Sequence, residues 1–339
     1  MPVMLAGIDE AGYGPLLGPL TVAMAVFRVE DWTPGQAAPD LWRLLGSAVS
    51  REARDKRGRI PVADSKRLKL PNDSATRHPL THLERGVLAF MSQSEAAGNG
   101  AGDGSARGPI GTDAELLGRL GATHTGLAWY GGEAGALPVA GTPEQHAVDA
   151  NLLRGALASA GVRVVALRCV VVDEAAFNDI VRRTGTKGEA TLHAIGRHLR
   201  WLRKRLAGGG DQAGEGLAVR VVCDRLGGRT AYGDLLAREL EVAVRATEES
   251  ARVSRYEFDP DWAALFQPEC ESAHLAVALA SMTAKLVREL AMARFNRYWG
   301  ARVADLKPTA GYRADAARWL RDAGGALTAE VRREMIRIA

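Results

Sequence analysis

The residues best able to do chemistry are acids set at the ends of apolar runs. Asp9 and Glu10 close the run containing Val3, Leu5, Ala6 and Ile8, just ahead of a loop punctuated by Gly12, Gly14 and Gly18. Such a run reads as a buried strand. Neighbouring side chains in a strand point to opposite faces, so Glu10 joins Asp9 only where the strand ends and twists. Two carboxylates at a core boundary need a positive partner, and a hard divalent cation bound by oxygen is the economical one. The plainer alternative is an acidic turn. Asp224 adds a third carboxylate, after the apolar run LAVRVVC (217–223) and before Gly227 and Gly228. An acid past the carboxyl end of a buried strand is where open α/β sheets place ligands. Glu271 is the fourth, at the start of a long helical pattern whose dipole it also complements.

A hydroxyl and an ammonium accompany these acids. Ser65 and Lys66 lie in the polar turn of PVADSKRLKL (61–70), where Asp64 or Ser65 suits a helix cap. Placed beside the first loop, the pair could bind a phosphate oxygen. Only seven of the 44 basic residues are lysines, and Lys66, Lys187 and Lys285 fall in motif-like stretches. A compact ammonium is chemically distinct from the guanidinium used elsewhere in the chain.

The elements that would position these groups alternate. TVAMAVFRV (21–29) predicts a second strand joined to the first by the glycine loop, and helical spacing follows over 41–50. Residues 71–160 contain three helical patterns and the Gly/Ala/Ser stretch AAGNGAGDGSARG, whose composition suits a flexible surface loop. We read 71–160 as an inserted subdomain or lid, with isolated histidines such as His124 and His146 as surface or core residues. Strand and helix then alternate again: a run at 163–173 long enough for a central strand, a long helix after GTKGEAT, the strand before Asp224, a strand over 253–258, and a helix from about 272 to 298. GTKGEAT lacks the spacing of a nucleotide phosphate loop. The segment 286–339 reads as C-terminal helical structure within one domain spanning 1–339.

The 339 residues are 47% hydrophobic and 25% charged, as in soluble globular proteins. No run approaches the roughly 20 apolar residues of a membrane span. The Met1 end lacks a secretory signal pattern, so a cytoplasmic chain without membrane contact is expected. Cys169, Cys223 and Cys270 show no paired spacing, which argues against a disulfide framework or a zinc site and for small core residues. The net charge of +4 permits a polyanionic partner. Arg197, Arg200, Arg203, Lys204 and Arg205 cluster in HAIGRHLRWLRKRL, which reads first as the solvated side of an amphipathic helix and second as a phosphate-binding face.

Together these stretches resemble one family. GIDEAGYGPLLGPL is similar to the DEAGRGPLAGP signature of type 2 ribonucleases H (ribonuclease HII), and ADSKRL to its NDSKKL. VVCDRLGG sits where the family has its third acid, and ESAHLAVALASMTAKLVREL matches the family's DxxxxxxxAASIxAKVxRD helix in register, with Lys285 on the helix lysine. PTAGYRADAARWLRDAG resembles the family's ending. The resemblance implies a ribonuclease H-like α/β fold, a central mixed sheet flanked by helices. It further implies that Asp9, Glu10, Asp224 and Glu271 hold two Mg²⁺ or Mn²⁺ ions, with Gly12, Tyr13, Gly14, Ser65 and Lys66 binding substrate. The implied activity is endonucleolytic hydrolysis of the RNA strand of RNA/DNA hybrids, or of ribonucleotide-containing duplex DNA, by a monomer. Two departures stand out: Gly12-Tyr13-Gly14 replaces Gly-Arg-Gly, and Glu271 replaces an aspartate. The alternatives are a nuclease of this fold for another nucleic acid structure, and a nucleic-acid-binding protein that has lost catalysis. An ATP-using relative of the fold would need a second phosphate loop and an adenosine motif, neither of which is found.

Overall fold

The computed structural model describes residues 1–95, 108–122, 126–207, 217–258 and 261–338. The flexible loop expected over 96–108, except Gly108, and His124 lie outside the described residues. The chain begins with β1 (Val3–Ala11) and β2 (Leu20–Val29), then α1 (Leu41–Leu44), β3 (Val49–Ser50), β4 (Ile60–Pro61) and α2 (Ser65–Leu68). The helices α3 (Thr81–Met91), α4 (Asp113–Arg119) and α5 (Pro143–Ser159) follow. Next come β5 (Val162–Val172), α6 (Glu174–Thr184), α7 (Gly188–Ala207), β6 (Ala218–Asp224) and α8 (Gly233–Leu240). The remainder is β7 (Arg245–Glu249), β8 (Ser254–Phe258), β9 (Trp262–Gln267), α9 (Leu275–Gly300), α10 (Arg313–Ala323) and α11 (Ala329–Met335).

Among the described residues, seven strands form one mixed sheet in the order β5-β2-β1-β6-β9-β8-β7, with helices on both faces, as the resemblance implied. β1 is antiparallel to β2 and parallel to β6, and β6 is parallel to β9. Because both faces are covered, β1 and β2 are near-continuous apolar runs rather than alternating ones. One core, on the α9 face, joins Val3, Leu5 and Phe27 to α9 and to Leu83, Val87 and Phe90 of α3, with Leu116 of α4 and Leu153 of α5. The other joins Met4, Ala6 and Ile8 to Leu192, Ile195 and Leu199 of α7. A third cluster packs Phe295 and Trp299 of α9 against Trp319 of α10 and Met335 of α11.

Several expectations are corrected. The 163–173 run is an edge strand rather than a central one. It stays apolar because its outer edge is covered: Glu95 N donates to Val164 O at 3.0 Å and Cys169 N to Leu120 O at 3.0 Å. The helix read over 41–50 stops at Leu44, and the chain turns at Gly46 into β3, which pairs with β4. Besides the short β3 and β4, two strands of the main sheet escaped sequence reading. β7 is exposed throughout and carries ion pairs to β8, so it shows no apolar alternation. β9 lies between β6 and β8. All three cysteines are free and buried, as expected of core residues. Among the described residues, no helix is long and apolar enough to cross a membrane.

Candidate active site

Sheet register sets the first two acids side by side. Ile8 of β1 pairs with Cys223 of β6 and both enter the α7-side core, so Asp9 and Asp224, next on each strand, turn to the α9 side. Pairing between β1 and β6 ends there, while β1 continues along β2 to Ala11 and β6 along β9 to Asp224. The two strand ends separate with an acid on each lip. Gly7 lets α9 lie against β1, since a Cβ there would stand 2.2 Å from the Ala276 carbonyl carbon. That approach brings Ser281 to Asp9. Its hydroxyl donates to the Ser65 hydroxyl at 2.9 Å and is close enough to the Asp9 carboxylate to oppose the rise in its pKa. Glu271 precedes α9 on a 3-10 turn, Cys270–Ser272, rather than on the long helix itself.

The four acids form one electrostatic neighbourhood. Burial first, and then the Glu10 and Asp224 carboxylates, hold Asp9 well above the usual carboxylate range. Glu10 is pushed up to about 7, chiefly by burial and by Asp224, with Glu271 adding to the rise and Lys66 opposing it. Although alternation sends its Cβ to the other face, its charge is coupled to the acids on the α9 side, as expected of a residue near a strand end. Asp224 and Glu271 are raised mainly by burial. Lys66 lies on α2, which Asp64 caps by accepting from Lys66 N at 2.9 Å. Burial works against the Lys66 ammonium, but Asp64, Glu271, Asp9 and Asp224 carry its pKa up. Lys66 thus serves as the acids' counter-charge. Lys285 pairs with Glu289 at 2.7 Å, one turn along α9.

The donor set of carboxylate oxygens suits a hard divalent cation. Glu271 Oε2 is buried without a hydrogen-bond partner, and the acids penalise one another's ionisation, which a cation would relieve. Among the described residues, no three His, Cys, Asp or Glu side chains are grouped so as to hold a metal ion as they stand. Cys270 also belongs to this neighbourhood, with Sγ 3.7 Å from Asp224 Oδ1, a contact that reading it as a small core residue did not anticipate.

The loop after β1 is held from behind by groups the sequence did not single out. Gly12 and Gly18 have φ of +88° and +89°, and both pack against the Arg288 side chain. Arg288 donates to Pro19 O, to Leu17 O at 3.2 Å and to Ala310 O at 3.1 Å. Arg337, returning after α11, donates to the carbonyls of Gly12 and Tyr13 and lies over the Phe177 ring, 3.8 Å from its centroid. Glu174 accepts from Gly18 N at 3.0 Å and from Tyr130 Oη at 2.8 Å, and burial pushes it up to about 7. These anchors leave Tyr13 partly exposed and Gly14 facing open space. Their only sequence signal was type: buried charges that need partners.

No family model matches the chain, and no curated protein sequence matches it. Solved structures to which it is similar include one of the PCNA:RNase HII complex from Archaeoglobus fulgidus, at 14% identity and TM-score 0.40, covering 99% of this chain and 94% of that one. The ribonuclease H2 from Pyrococcus horikoshii OT3 is 13% identical with TM-score 0.38, over 94% and 86%. Bst-RNase HIII in complex with Mn²⁺ is 16% identical with TM-score 0.41, over 99% and 66%.

Proposed function

We propose that this protein is a metal-dependent endonuclease of the ribonuclease H type, acting on the RNA strand of RNA/DNA hybrids or at ribonucleotides embedded in duplex DNA. The observation that carries the reading is the mutual electrostatic coupling of Asp9, Glu10, Asp224 and Glu271, four acids distant in sequence, around the ammonium of Lys66. These four carboxylates would hold Mg²⁺ or Mn²⁺. Bound there, such ions would supply an activated water and charge stabilisation at the leaving 3′ oxygen. The chain's own groups do the positioning. Lys66 draws a phosphate oxygen towards the acids, and Ser65, tied to Ser281, fixes the start of α2. The backbone of Gly12, Tyr13 and Gly14 offers recognition of a ribose 2′-hydroxyl, with the tyrosine ring available to stack.

The test is a substrate panel with Mg²⁺ or Mn²⁺, containing an RNA/DNA hybrid, a duplex with a single ribonucleotide, plain RNA and a DNA junction. Wild type cuts the hybrid or the ribonucleotide duplex, and Asp9→Asn loses at least about a hundredfold in kcat. Cutting of neither substrate, or cutting indifferent to Asp9→Asn, defeats the proposal. A second reading, a nucleic-acid-binding protein that has lost catalysis, is favoured by the lack of a ready-made group of three donors among the described residues. It predicts hybrid binding with no metal-dependent turnover.

A further inference from the structure

Lys187 makes no ion pair among the described residues, and it lies against Tyr13 of the loop that follows Asp9 and Glu10. It lies in the turn between α6 and α7, half-buried, with Nζ 5.1 Å from the centroid of the Tyr13 ring. Tyr13 is coupled to the cluster itself: burial, and then the Glu10 carboxylate, raise its hydroxyl pKa, while Arg337 and Arg229 lower it. Arg229 differs from Lys187 in having a partner, since its guanidinium donates to Glu189 at 3.0 Å. The acids are thus coupled directly to Lys66, and through Glu10 to Tyr13, on whose ring Lys187 lies. Lys66 stands on the α2 side, engaged with the acids, and Lys187 on the α7 side, engaged only with an aromatic face. An ammonium over an aromatic ring keeps its charge and its donors, so it is free to take an anion.

Resting on the nuclease reading above, we infer that Lys187 and Tyr13 form a phosphate-binding shelf for the strand being cut. On this shelf Lys187 holds a backbone phosphate adjacent to the one at the acids, and Tyr13 supplies the aromatic floor for the neighbouring sugar or base. A cluster of four carboxylates repels a phosphodiester, so substrate affinity must come from cations at its rim. Among the described residues Lys187, over the Tyr13 ring, makes no ion pair. The sequence hint was the scarcity of lysine, which made the GTKG turn notable even though it is no nucleotide loop.

The experiment measures equilibrium binding of an RNA/DNA hybrid and of a single-ribonucleotide duplex over a salt series, without divalent metal, alongside steady-state cleavage with metal. Lys187→Gln weakens binding about tenfold, the loss expected for one charge-assisted contact. It also reduces the slope of log K against log salt by about one. Lys187→Arg restores both, and Tyr13→Leu weakens binding with little change in slope. In cleavage, the Lys187→Gln loss falls on KM more than on kcat. If wild type binds and cuts while Lys187→Gln matches it in affinity and slope, the shelf is wrong and the nuclease reading stands. If wild type neither binds nor cuts either substrate, the parent reading fails and takes the shelf with it.

Discussion

At the residue scale, the decisive feature is the cost of four carboxylates sharing one desolvated neighbourhood. Glu10 titrates near 7 instead of 4.5, and Asp9 is also raised. A carboxyl with a raised native pKa leaves the folded state holding more protons than the unfolded one, so unfolding free energy falls as pH rises. In chelator, the protein loses stability between about pH 4.5 and 7, the window set by Glu10. Thermal melts across that range check this, and Asp9→Asn flattens the loss by removing one of the mutually repelling charges. Added Mg²⁺ or Mn²⁺ raises Tm more at about pH 8 than at about pH 5, because the ligands must be deprotonated to bind. A Tm gain independent of pH, or one kept by Asp9→Asn, contradicts a carboxylate metal site here.

At the element scale, the site depends on how closely α9 lies on β1. Gly7 is the point of approach, so Gly7→Ala must push the helix and strand apart. We expect a destabilisation of about 1–3 kcal/mol or more, read by chemical denaturation. Activity falls with it, because Ser281 withdraws from Asp9 and Glu271 from the strand ends. Full activity in Gly7→Ala would show that the helix does not set the site. The buried pair of Arg294 on α9 with Asp113 on α4, bonded through both oxygens at 2.7 Å, fixes the same helix further along. Asp113→Ala strands the guanidinium and costs about 3–5 kcal/mol by the same measurement.

At the scale of the whole molecule, the segment after α11 returns across the chain to hold the loop that begins at Gly12. Arg337 alone satisfies carbonyls of Gly12 and Tyr13 while lying on Phe177 of α6, so it ties three distant parts together. Arg337→Ala leaves those carbonyls unpaired and costs about 2–3 kcal/mol in denaturant melts. Cleavage weakens beyond that loss of stability, since the loop that presents Tyr13 loosens. Arg337→Lys recovers part of the stability but not the forked geometry. Unchanged cleavage in a folded Arg337→Ala would remove the loop from substrate binding.

Much of this was written in the chain. The doubly covered strands β1, β2 and β6, helix α3 and the capped helices α4 to α6 were legible because local periodicity and capping chemistry are properties of neighbouring residues. The four acids were legible as candidates, since carboxylates at the ends of apolar runs or the start of a helix are chemically conspicuous and their order resembles one family. Four things were decided only by tertiary structure. The run ending at Val172 lies at the sheet edge and stays apolar because backbone at Glu95 and Leu120 covers it, and β7 became a strand despite being wholly exposed. Asp9 and Asp224 became neighbours through parallel register between strands more than two hundred residues apart in sequence, which no local pattern encodes. Glu174, Arg288 and Arg337 took up the loop because buried charges seek whatever carbonyls and amides the fold brings to them, and that pairing exists only once the chain has closed.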